Sequence, residues 1–177
     1  NDYHACFYMY KAALSGSKNI KLKVASNDTQ TCRIKNASIA VLSLAQFKSY
    51  LYDTDAAEET NTSGTFQAKG EASGALTAGW SHLLLTSVRL QPYGDDNTLV
   101  KTDLRVNGSS LGAGFLGVDT NTNDGPTAYK AAPAAVMRVV SPVASTDTYT
   151  QYWATGSAPN AAKAKLSQVA LLALKPL

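Results

Sequence analysis

Charge is scarce in this chain: Asp, Glu, Lys and Arg make up 16% of its 177 residues, against about 25% in an average soluble domain. That argues against a disordered, self-repelling polypeptide. It also leaves the formal net charge of +3 spread over scattered residues. The densest group, Lys18, Lys21, Lys23, Arg33 and Lys35, alternates with Ile20, Leu22, Val24 and Ile34. That pattern is the solvent face of strands, with a phosphate-tracking patch as the lesser reading, so nucleic acid is not the expected partner. Long apolar runs are missing too. The longest, Leu83–Leu85 and Val169–Leu174, are of strand length and far short of a membrane-spanning helix, so no membrane insertion is expected. There are two histidines, His4 and His82, far apart and without a Cys, Asp or Glu at ligand spacing. No enzyme is expected. The chain starts at Asn1 rather than Met, without a basic and apolar leader, as if a leader had been removed or an upstream segment were absent.

Cysteine is equally sparse. Cys6 and Cys32 fall on what read as neighbouring strands, where a disulfide and two buried free thiols are both compatible with the spacing.

What is present is apolar residue in quantity, 45% of the chain, with Ser, Thr, Asn and Gln left to supply the polar surface. Helical periodicity is nearly absent. Alternation recurs instead, as in Ile20-Lys21-Leu22-Lys23-Val24 and Leu104-Arg105-Val106, and Tyr93-Gly94-Asp95, Asn107-Gly108, Asp124-Gly125-Pro126 and Thr155-Gly156 punctuate it. Many short strands with regular turns imply a sandwich or barrel. Asp53–Thr60 and the alanine-rich Ala161–Leu166 are the two stretches that could turn helically, and both could equally be loop or strand.

An internal repeat organises the reading. Ala25–Leu44 runs parallel to Ala154–Leu174, with Ile39–Leu44 matching Val169–Leu174. The period makes residues 48–177 a complete module and residues 1–47 the C-terminal half of an earlier β-sandwich repeat. Within the module, strands are expected near Gly64–Ala68, His82–Leu90, Leu99–Val106, Ala113–Val118, Ala135–Val140, Thr148–Ala154, Ala162–Lys165 and Gln168–Leu174. The expected fold is therefore all-β, an antiparallel jelly-roll-like β-sandwich with half of a preceding repeat. Trp80 opening a long apolar strand, the central Asn107-Gly108 turn, and the closing Leu172-Ala173-Leu174 together resemble the jelly-roll modules of phage virion proteins, the decoration proteins and fibre heads. The resemblance lies in the pattern of strands and turns and carries no functional residue across.

Three features suggest chemistry. Gly112-Ala113-Gly114-Phe115-Leu116-Gly117 fits G-x-G-x-x-G, but a dinucleotide site needs a helix to start there. Val118-Asp119-Thr120-Asn121 is a poor helix, so the glycines read as a strand or bulge. Asp119, Asn121 and Asn123 set oxygens on alternate residues as calcium prefers. The glycine comes one place too late for an EF-hand loop and Lys130 stands where Glu belongs, so the first reading is a polar loop without cofactor, and calcium the alternative. The acidic pairs Asp53/Asp55, Glu58/Glu59 and Asp95/Asp96 read as loop charge.

Tyr8, Tyr10, Tyr50, Tyr52, Tyr149 and Tyr152, with Trp80 and Trp153, are the interface candidates, because these rings join a large apolar area to a polar tip; the sandwich core is the other place for them, and Trp153 is expected to face it. The same rings would stack on sugars. The expected function is a non-enzymatic structural protein of a virion or other extracellular assembly, such as a phage capsid decoration, cement or fibre protein. Its partners would be itself and other structural subunits. A carbohydrate-binding module and an extracellular filament subunit are the alternatives.

Overall fold

The computed structural model describes residues 9, 11–21, 23, 38–93, 100–114, 132–141, 144–156 and 161–174. Among the described residues nine strands, β1 (Tyr50–Asp55), β2 (Glu59–Asn61), β3 (Gln67–Ala72), β4 (His82–Tyr93), β5 (Val100–Val106), β6 (Ser109–Gly114), β7 (Ala132–Val140), β8 (Tyr149–Thr155) and β9 (Ala161–Ala173), make two sheets. One runs β1-β9-β4-β7, with β2 also on β9, and the other runs β3-β8-β5-β6. Every pairing is antiparallel.

The pairings are nested. β5 pairs with β6, β4 with β7, β3 with β8, and β1 with β9, as if one long hairpin had been rolled into a barrel-like sandwich. That topology is the jelly roll. The tip of the hairpin is the Asn107-Gly108 turn. Val106 faces Ser109 across a two-residue loop, with φ of 49° at Asn107 and 80° at Gly108. Such a turn needs positive φ at both residues, which Asn and Gly accept most readily. Asn107 also holds the neighbouring loop: its amide donates to Asp147 Oδ1 at 2.8 Å and its Oδ1 accepts the Thr148 N–H at 2.9 Å.

The core lies between the sheets in two parts. Ala72, Leu76, Leu84, Leu104, Val140, Tyr149, Val169 and Leu171 form one cluster. Val88, Leu90, Val100, Trp153 and Ala164 form the other. Between them the inward positions are polar: Thr86 on β4, Thr102 on β5, Gln151 on β8 and Ser167 on β9 are all buried. Gly70 completes this belt. A Cβ there would lie 2.4 Å from Ser167 Oγ and 3.0 Å from its Cβ. Gly70→Ala is therefore expected to cost about 1–3 kcal/mol as an overpacking change, and Ser167→Gly in the same chain should recover part of it, both read from chemical denaturation.

Several expectations are corrected. Asp53–Thr60, left open between helix, loop and strand by its sequence, forms the end of β1 and the start of β2, because pairing with β9 overrides its local propensity. The alanine-rich piece and Gln168–Leu174 are one strand, β9, with an extra residue at Lys165 where Arg89 pairs with Leu166 and Leu90 with Ala164. The sixth strand begins at Ser109 rather than Ala113, so the glycines Gly112 and Gly114 sit on a strand. Ile39–Ser43 forms no strand and Leu44–Gln46 is a 3-10 turn, whereas Val169–Ala173 lies in β9, so the two are not equivalent. Lys18, Lys21 and Lys23 are exposed as expected, but Ile20 between them is exposed as well and no strand forms there. Alternation makes a strand only where a second layer covers one face. Leu22, Val24, Arg33, Ile34 and Lys35 lie outside the described residues, as do His4, Cys6 and Cys32.

Candidate functional site

Strand register sets the side chains of the first sheet in rows across its outer face. Tyr50, Leu172, Leu83 and Val139 form one row, and Tyr52, Ala170, Leu85 and Met137 the next. A sheet with one solvated face alternates apolar and polar residues. This sheet does not, and its outer face is covered in part by the N-terminal segment: Met9, Leu44 and Phe47 pack on Leu85, Ala170, Leu172, Tyr52 and Leu83. The third row contributes Gln168, whose side chain grips a backbone: its Oε1 accepts the Met9 N–H at 3.0 Å and its amide donates to the Met9 carbonyl. Tyr52 Oη donates to the same carbonyl at 3.4 Å and receives a Gln168 N–H at 3.0 Å. Because the contact is to the Met9 main chain, it does not depend on which side chain stands at that position. Lys11 reaches the Tyr50 ring, 4.7 Å from its centroid. The cover stops short of β7, where Met137 and Val139 stand exposed.

The interface candidates divide accordingly. Tyr50 and Tyr52 belong to this outer face. Tyr149 and Trp153 do not: both are buried in the core, on the inward side of β8. Burial holds the Tyr149 phenol above its ordinary pKa of 10.0, with the charge of Asp147 adding to the effect. Tyr152 lies on the outer face of the second sheet, where Arg105 stacks between it and Phe66, 4.4 Å and 5.2 Å from the ring centroids. Asp103 fixes Arg105 at 2.8 Å and accepts the Ser110 hydroxyl at 2.6 Å. Trp80 is half-buried under Lys48. Tyr8, Tyr10 and the loop bearing Asp119, Asn121 and Asn123 lie outside the described residues, as do Asp95 and Asp96. His82 is buried, with Nδ1 2.9 Å from the Trp80 carbonyl. Among the described residues no three His, Cys, Asp or Glu side chains group as a metal site, and no helix is long and apolar enough to cross a membrane.

Sequence reading passed over Gln168, Met9, Met137 and Val139. The signal for them is that His82–Leu85, Ala134–Val140 and Val169–Leu172 are nearly continuous apolar runs, which mean burial on both faces. A cavity of about 350 Å³ opens beside β7, lined by Val106, Leu111, Arg138, Val140, Asp147 and Tyr149 among others. Arg138 spans its rim, donating to the Leu111 carbonyl of β6 at 2.6 Å.

The opposite side of the sandwich is closed by charge. Lys69, at the bulge of β3, has a side chain with no exposure and donates to Asp55 Oδ2 at 2.9 Å, Glu59 Oε1 at 3.2 Å and the Ala57 carbonyl. Asp53 accepts the Glu71 N–H of β3 at 3.2 Å. The Lys69 hydrogen bond holds the Asp55 carboxyl below its ordinary 3.8. A carboxyl depressed in the folded state contributes stability above its unfolded pKa and loses it as pH falls through the folded value. Stability should therefore drop more steeply below about pH 4 in the native chain than in Asp55→Asn. Since Asp55 is a third exposed, the difference should be about 0.5–1 kcal/mol, read by denaturation at a series of pH values.

No family model matches the chain, and no curated protein does. Solved structures do. Dimeric latent PorU from Porphyromonas gingivalis aligns over 74% of this chain and 13% of its own, at 11% identity and a TM-score of 0.47. The structure of infectious bursal disease virus Gx strain aligns over 72% of this chain and 33% of its own, at 9% identity and a TM-score of 0.45. The chain thus spans a third or less of either.

Proposed function

We propose that the chain is a non-enzymatic structural subunit of an ordered assembly, a virion or other extracellular particle, in the role of a capsid decoration, cement or fibre protein. The observation that supports this reading is the apolar surface left in solvent at two places: Leu14, Ile20, Ile39, Val41 and Leu42 along the N-terminal segment, and Met137 and Val139 on β7. Large apolar residues left exposed in such groups mark contact with other macromolecules when they form a patch. The partners are further copies and other structural subunits. Electron microscopy of the native sample tests the reading. Particles of regular symmetry, with nucleic acid inside, are expected, whereas filaments without it would favour the surface-filament alternative. A dispersed monomer would remove both.

The Phe66, Arg105 and Tyr152 cluster favours a second reading, a carbohydrate platform on the second sheet, with Asp103 and Ser110 as polar neighbours. It is weakened by the burial of Trp153, which was one of the rings available to stack on a sugar. A glycan array without a hit removes it.

A further inference from the structure

Sheet edges carry unpaired N–H and C=O groups that invite another strand, and this sandwich treats its two sides differently. Beside β3 the side chains of Asp53 and Lys69 bind across the two sheets and take up the edge. β7 is the other end of the first sheet, and no described residue pairs with its outer side. Pro133, which has no N–H to give, blunts one end of it. The half from Ala135 to Val140 keeps its backbone donors. On that half Met137 is 67% exposed and Val139 59%, although both continue rows that the N-terminal segment covers elsewhere.

The same chain holds a matching segment. Ile39 and Val41 are 50% and 67% exposed, two residues apart like Met137 and Val139, in a stretch that forms no helix or strand. In its own subunit this stretch leads into the 3-10 turn of Leu44–Gln46, which sits on top of the sheet over β4 and β9. A strand added at β7 must lie in the plane of the sheet. Resting on the assembly reading, we propose that residues 38–43 of one copy add as a strand to the β7 edge of a second copy, with Ile39 and Val41 continuing the rows of Met137 and Val139. Main-chain hydrogen bonds supply the attachment and the paired rows its register. The contact joins two different surfaces, so it repeats head to tail and yields a ring or a filament according to the rotation.

Sedimentation velocity of the full chain tests this, beside two full-length variants. Val41→Pro removes a backbone donor from the segment, and Met137→Lys with Val139→Lys spoils the edge. The native chain should associate, and each variant should weaken association at least about tenfold, since every 1.4 kcal/mol is a factor of ten. Circular dichroism and melting temperature should stay unchanged, because all the substituted side chains are exposed. Mixing the two variants is the sharper measurement. Each retains one intact half of the contact, so together they should give a 1:1 pair and nothing larger. Association that persists in both variants would overturn the β7 contact and leave the assembly reading standing on another surface. A native chain that stays monomeric at submillimolar concentration would overturn both.

Discussion

Trp153→Ala is expected to remove about 3–5 kcal/mol of stability, the range for deleting a large buried aromatic, against a total of about 5–15 kcal/mol for a native protein. Trp153 lies on β8, between β3 and β5 in the second sheet, and points inward with no exposure. It is the largest side chain of the smaller core cluster, against Val88, Leu90, Val100 and Ala164. Those neighbours belong to three strands of two sheets, whose pairings hold their backbones apart, so the space would not collapse. The polar belt beside it adds a second consequence. Among the described residues Trp153 Nε1 has no hydrogen-bond partner, and the same is true of Thr86 Oγ1 and Ser167 Oγ. An unmade hydrogen bond in the interior costs about 1–3 kcal/mol. Trp153→Phe keeps most of the ring and discards the N–H, so it should cost much less than the alanine change, under about 1.5 kcal/mol. Urea denaturation of the three chains checks both numbers. A phenylalanine variant as weak as the alanine one would mean that a buried water satisfies the indole.

What could be read beforehand was whatever depends on near neighbours in sequence. The Asn107-Gly108 hairpin was legible because two residues with tolerance for positive φ decide it. β5, β7 and β8 were legible from short apolar and alternating runs between turns. β1 was not, since Asp53 and Asp55 lie in it. Their presence makes sense only beside the Glu71 N–H and Lys69, which β3 brings across from the second sheet. The opposite error occurred before residue 47, where Ile20 alternates with lysines as a strand would but nothing covers it. At the candidate site, tyrosine content was compatible with an assembly surface and with a sandwich core, and Trp153 was expected to face the core. Register decides among them: the inward side of β8 carries Tyr149 and Trp153 while Tyr152 faces out. Gln168 was hidden because its partner, the Met9 main chain, is 159 residues away.

Lys69 provides the second large effect, and the order of its variants follows from where the charges sit. The ammonium has no exposure, whereas Asp55 and Glu59 are about a third exposed. Removing the lysine leaves two carboxylates that water can reach. Lys69→Met, which keeps the aliphatic stem packed, should therefore cost about 1–2 kcal/mol, mostly from the repulsion left behind and the unmatched acceptors. Removing both carboxylates is the harsher change. Asp55→Asn with Glu59→Gln leaves a buried cation with amide and main-chain oxygens but no counter-charge, and breaking a buried pair this way costs about 3–5 kcal/mol. Combining all three substitutions removes the cation together with its partners, and should restore most of the loss, since neighbours in one network are not additive. Urea denaturation at neutral pH measures each term. A double variant no weaker than Lys69→Met would show that water already reaches the ammonium and that the bulge of β3 is held by packing alone.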